Sequence, residues 1–297
     1  MPPLNILPIL ADLYFVGQNK KLPVDWQQPQ GKESGDGSAT DKSQNYSDGF
    51  TMAEKMGIPV PLCYFWAAST NKYHVDTCKE IGGKFKDFVH NMLDAIKFAV
   101  DMWRLQAKFK DLKVMSVSAI GTPGCLDGPK LDIKNAPQAL SMKSWGDNIQ
   151  KWIDAVADGV ADCWEQWQKK VMVPGLPWYP AFAAYPLAMA PPMPNIPMPL
   201  ITCPSPMMSK MTLNELQSAM CDALDSGCKE DDTDKQYEAC FGAIATALMT
   251  AFLLWLPSQQ IMLVMGKGPV PTYAPPYVPV GPVVGGDNIP TPGHLAV

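Results

Sequence analysis

Few residues in this chain are equipped to do chemistry, and their spacing limits what they could do. The histidines are His74, His90 and His294. Three imidazoles scattered along the sequence offer little for general-base, triad or zinc chemistry, which each need a histidine held beside a second group. His90 lies between apolar neighbours and Asn91, the setting of a helix-surface or core histidine rather than a ligand. Carboxylates are more plentiful. Asp154, Asp158, Asp162 and Glu165 step by three or four, which lines one side of a helix and could hold a metal ion. The same spacing describes a solvated helix face, and that is the reading adopted. Glu230–Asp234 (EDDTD) suggests calcium but lacks the central glycine and distal glutamate of an EF-hand loop. No GxSxG, HExxH or phosphate-binding loop occurs. The expectation is therefore no enzyme, no catalytic residue, no cofactor and no metal, with a two-acid hydrolase as the enzymatic alternative.

Eight cysteines invite a disulfide reading, yet no CxxC pair is present. The start, MPPLNILPILADLYF, has early prolines and no basic segment, so it does not read as a secretory leader. Reduced, buried thiols in a cytoplasm follow. The sequon at Asn45-Tyr46-Ser47 then reads as unmodified. A net charge of −5 gives no electrostatic footprint for nucleic acid. Only 18% of residues are charged, whereas there are 30 prolines, 18 methionines and 9 tryptophans. That balance suits surfaces that other chains cover.

The elements that would position these residues read as one module written three times. A Trp-bearing helix runs into Val114-Met115, Val171-Met172 or Ile261-Met262, and an extended Pro/Gly segment follows from Gly121, Val173 or Gly266. The first helix is expected after Gly82-Gly83, with Phe85, Phe88, Met92, Ile96, Val100 and Trp103 on one side, reaching Lys110 about 40 Å on. The second is expected to be capped by Ser144. Its stripe is Trp145, Ile149, Trp152, Val156, Val160, Cys163 and Trp167, widened by Ile153 and Trp164. Thr212-Leu-Asn-Glu215 reads as a capping box, and Gln236–Leu256 as a buried bundle helix, a membrane segment being the alternative. Gln27–Gly49 reads as a polar loop and Ile58–Ala68 as a buried extended run. The proline-dense stretch from Val173 to Pro206 excludes helix and central strand, so an apolar extended arm is expected there.

Two segments carry a resemblance: PWYPAFAAYPLAMAPPMPNIPMPL from Pro177, and VMGKGPVPTYAPPYVPVGPVVGGDNIPTPGHL from Val264. Together they resemble virion structural proteins of large contractile-tailed bacteriophages, over roughly residues 174–297. The resemblance implies a tail or baseplate component, assembled in the bacterial cytoplasm, whose partners are other virion proteins and copies of itself. Neither nucleic acid nor a membrane is an expected partner.

The sequence-level expectation is a mainly α chain: amphipathic helices in small bundles, linked by long Pro-rich arms, with few short strands. Its units would be residues 1–57, 58–140, 141–210 and 211–297. The function expected is that of a structural subunit locking neighbours with its arms, the alternative being a membrane-active protein that inserts Phe241–Leu256. Trp152, Trp164, Trp167, Trp178, Tyr179, Phe182, Tyr273 and Tyr277 are the expected interface anchors, because aromatics dominate contact energetics. Truncation before Gly268 would then spare the fold and impair assembly.

Overall fold

The computed structural model describes residues 2–18, 20, 72–180, 185–232, 235–270 and 281–295, without the side chains of 72–79 and 147. The polar stretch from Gln27 to Gly49 with its sequon, the run Ile58–Ala68, and the anchors Phe182, Tyr273 and Tyr277 lie outside these residues.

Three long helices carry the core. The longest, α2 (Lys72–Gln106), follows α1 (Pro8–Gly17). It starts ten residues before Gly82, so the glycine pair lies inside the helix and does not bound it. It stops short of Lys110 because Phe109 is drawn into other hydrogen bonds: its N–H donates to His294 Nδ1 and its carbonyl accepts from Asn288 Nδ2. After the short α3 (Pro137–Met142), α4 (Asp147–Gln168) buries Ile153, Val156, Val160, Cys163, Trp164 and Trp167. Ser144 does not cap it. Its hydroxyl donates to the Ser141 carbonyl, and Gly146 occupies the N-cap at φ 148°. The expected capping box also fails to close: Thr212 at the start of α5 (Leu213–Ala223) makes no capping hydrogen bond, and Glu215 pairs with Lys210. The short α6 (Ser226–Asp231) is capped by the Asp225 carboxylate.

The apolar helix α7 (Gln236–Ser258) is long and apolar enough to cross a membrane, with a mean hydropathy of 2.0, yet 72% of that window is buried within the protein. It packs against α1, α2 and α5. Gly159 of α4 faces the backbone of α5 so closely that a Cβ there would lie 2.6 Å from the Met220 nitrogen. The tryptophans that end the three long helices meet in the centre: Trp103 lies 6.3 Å from Trp167 and 6.4 Å from Trp255, ring centre to ring centre.

The arms overturn the expected fold class. Among the described residues about 53% are helical and 18% lie in strands, a mixed fold rather than a mainly α one. Six strands, β2 (Lys113–Met115), β3 (Ser118–Gly121), β5 (Val173–Pro177), β6 (Met189–Pro194), β9 (Met265–Pro269) and β10 (Gly286–Ile289), form one antiparallel sheet in the order β5-β3-β2-β10-β9-β6. Two minor pairs join β1 (Lys108–Phe109) to β4 (Leu126–Asp127) and β7 (Met198–Pro199) to β8 (Gln260–Ile261). The extended segments from Val173 and Gly266 thus each add two strands to one shared sheet, whereas the segment from Gly121 follows β3 and supplies only β4 to a minor pair. The proline density that argued against strands is accommodated by position. Pro174 and Pro177 fall on β5, and Pro191, Pro192 and Pro194 on β6, the two edge strands, where a missing N–H breaks no ladder.

Candidate functional site

The described anchors divide sharply by burial. Trp164, Trp167 and Trp178 are 1%, 2% and 1% exposed and pack within this chain, so they present no surface to a neighbour. Trp178 is a clamp between edge strands. Its backbone N–H donates to the Val117 carbonyl, its indole N–H donates to the Met193 carbonyl at 3.0 Å, and its ring covers Gly266. Trp152 is half-buried, 6.2 Å from Phe88 and 5.5 Å from Phe241 between ring centres. Tyr179 is exposed.

Trp152 belongs to an open groove of about 640 Å³ between α2, the start of α4 and the α6–α7 corner. Ile81, Phe85, Phe88, Trp145 and Ile149 form its other apolar walls, and Lys84, Asp231 and Asp232 lie among its lining residues. Asp232 is already engaged, accepting from the Tyr237 N–H. Such walls suit an apolar group. Among the described residues, no nucleophile paired with a base lines the groove, and no group of three or more His, Cys, Asp or Glu is placed to hold a metal ion.

Among the described residues the thiols are held in their protonated form. Burial pushes Cys125 and Cys163 up to about 11 and Cys203 up to about 12. The acidic row on α4 is tied to cations: Lys134 reaches Asp158 at 2.9 Å and Asp154 at 3.3 Å, and Lys130 reaches Asp162. These half-exposed pairs form a solvated face and contribute little individually.

Sequence reasoning missed the buried polar side chains that fix the arms. Asn288 accepts from the Leu112 N–H and donates to the Phe109 carbonyl. Asn195 accepts from the Val264 N–H and donates to the carbonyls of Ile196 and Ile261. Asp12, 3% exposed on α1, meets His90 at 2.8 Å and Lys86 at 3.9 Å. Each satisfies groups more than sixty residues away in sequence, a relation no local pattern encodes.

His294 is the most consequential of them. It is 1% exposed, accepts at Nδ1 from the Phe109 N–H, and has its Nε2 3.2 Å from Thr291 Oγ1. The accepting Nδ1 fixes the neutral tautomer with its proton on Nε2. Desolvation lowers the ring from 6.5 to about 4. Between those values the unfolded chain binds a proton that the folded one refuses, so stability present above pH 6.5 is lost as pH falls through about 4. The loss is roughly 3 kcal/mol at most, from 1.36 kcal/mol per pKa unit. Urea unfolding at pH 7 and pH 4.5 should show the wild type losing more stability than His294→Gln. Equal losses would mean that His294 is not the titrating group.

The solvent face of the sheet carries two rows of contrasting chemistry. In one, Ile120, Lys113, Asp287 and Lys267 lie side by side across β3, β2, β10 and β9, with Lys113 and Asp287 ion-paired. The next row, by register, is mixed: Pro177, Ser118 and Met115 lie side by side across β5, β3 and β2, and Pro269 pairs with Met189 across β9 and β6. The two ends of the sheet meet, since Trp178 bridges Asn195 and the Ile196 N–H donates to the Pro177 carbonyl, so these rows run round the strands. Met115, Val117, Tyr179, Val284, Leu187 and Met189 are all exposed, the last at 63%.

Comparison of the chain with protein-family models, with curated proteins and with solved structures finds no match.

Proposed function

We propose that this chain is a structural subunit of a multi-protein assembly, and that the assembly is a virion tail or baseplate of the kind its Pro-rich, aromatic C-terminal half resembles. The observation that carries the reading is the apolar surface on the strands and turns of the sheet: Met115, Val117, Tyr179, Leu187, Met189 and Val284 are all exposed, surface that a neighbouring subunit would cover. The surroundings agree. The described thiols resist reaction, and the open groove offers apolar contact rather than proton transfer.

Light scattering after size exclusion, without detergent, tests the reading. Self-association at micromolar concentration is expected, and a monomer up to about 100 µM would overturn it. The apolar helix α7 is spent on the core, so the protein should stay at the bottom of a liposome flotation gradient. Flotation with the vesicles would favour membrane insertion instead.

A further inference from the structure

We propose that the groove between α2, the start of α4 and the α6–α7 corner seats an apolar segment of this same chain, Ile58–Ala68 (IPVPLCYFWAA). The groove calls for a cover. Ile81, Phe85, Phe88, Trp145, Ile149 and Trp152 line one hollow of about 640 Å³, and Trp145 is 46% exposed. The segment calls for one too, since it holds no charge and carries Tyr64, Phe65 and Trp66 in succession.

The connection that contains the segment leaves and re-enters the described fold beside the groove. Residues 21–71 join α1 to α2. At the α1 end, Phe15 stacks on the groove residue Phe85 at 4.0 Å between ring centres, and α1 stops at Gly17. At the other end, Lys72 lies about 13 Å along α2 from Ile81 and about 24 Å from Phe88. Only Ser69, Thr70 and Asn71 separate the segment from Lys72. A run from Ile58 to Ala68 can span up to about 36 Å, so a segment turning back along α2 reaches the whole groove.

The chemistry of the walls selects this segment from the rest of the connection. Gln27–Gly49 is polar and charged, whereas Ile58–Ala68 is neither. Among the charged lining residues, Lys84 pairs with Glu80 at 2.8 Å and Asp232 accepts from the Tyr237 N–H, so neither needs a charge from an occupant. Aromatic-lined grooves take proline-containing extended segments, whose prolines bring no N–H to desolvate, and Pro59 and Pro61 fit that description.

The experiment replaces Ile58–Ala68 by a Gly/Ser run of equal length and probes both chains with a labelled synthetic peptide of residues 56–70. The peptide should bind the replaced chain in the micromolar range and the wild type at least about tenfold more weakly, because a tethered segment competes at millimolar effective concentration. Adding Trp145→Ala to the replaced chain should weaken the peptide at least about fivefold with circular dichroism unchanged, since that side chain is exposed. Equal binding to both chains would show the groove open in the wild type, and binding to neither would show that it rejects this segment. Either result overturns the proposal. Phe65→p-benzoylphenylalanine in the full chain keeps the test decisive where the replaced chain does not fold. Its photo-crosslinks should fall within the same chain, on residues 81–88 or 145–152. Crosslinks to other residues, or to a second copy in a mixture of light and heavy protein, would overturn the segment as the occupant.

Discussion

Deleting residues 268–297 should abolish the folded state, not merely impair assembly. The segment contains β10, which lies between β2 and β9 in the middle of the six-stranded sheet. Without it both neighbours lose their partner, and Val114, fully buried in β2, loses part of its cover. The deletion also removes Asn288 and His294, leaving the buried N–H groups of Leu112 and Phe109 and the Phe109 carbonyl unsatisfied. At about 1–3 kcal/mol for each such group, the loss approaches the whole stability of an ordinary domain. A 1–267 fragment should therefore show no cooperative thermal transition and should be digested rapidly by protease. Asn288→Ala alone should cost roughly 2–5 kcal/mol, because it strands two of those groups. A fragment that melts cooperatively near the full-length midpoint would show that the helices fold without the sheet.

That result inverts the expectation drawn from sequence, and the reason lies in what the sequence could display. The helices were legible because each repeats its apolar residues every three or four positions: Phe88, Met92, Ile96 and Val100 on α2 and Val156, Val160, Cys163 and Trp167 on α4 are all buried. Their ends were not, since the cap at Ser144 and the glycine pair at Gly82 gave way to packing and to distant hydrogen bonds. The extended segments were legible as extended. Their pairing was hidden because each strand finds neighbours far along the chain, as β10 does with β2, at 287 and 113. Proline density marked β5 and β6 as unfit for the middle of a sheet, and the fold uses both at the edges. Aromatic side chains read as contact anchors without regard to partner. Trp164, Trp167 and Trp178 found their partners inside the chain and Tyr179 stayed exposed, whereas the exposed Met115, Val117 and Met189, which are not aromatic, passed unnoticed.

Trp164→Ala should be the most damaging single substitution in the helical layer. The side chain is 1% exposed and lies at the meeting point of α2, α4 and α7. Its ring is edge-on to Trp103 and Trp167 at 5.1 Å each and to Phe252 at 5.6 Å, and is tilted against Trp255 at 5.7 Å. Removing it vacates a space bounded on every side by rigid rings, which relax poorly, so the cavity persists. Large aromatic-to-alanine changes of this kind cost roughly 3–5 kcal/mol, with a fall in melting temperature on the order of 10 °C. Trp164→Phe separates packing from polarity. Phenylalanine keeps an aromatic edge for Trp103 and Phe252, and it deletes an indole N–H that has no acceptor among the described residues. Its cost should stay below about 2 kcal/mol, because the unsatisfied donor lost offsets part of the smaller ring volume. Denaturant melts of the two variants check the pair together. A phenylalanine variant as unstable as the alanine one would mean that the indole nitrogen is bonded in solution. An alanine variant within about 1 kcal/mol of the wild type would mean that the three helices can close over the gap, contrary to the rigidity argued for this cluster.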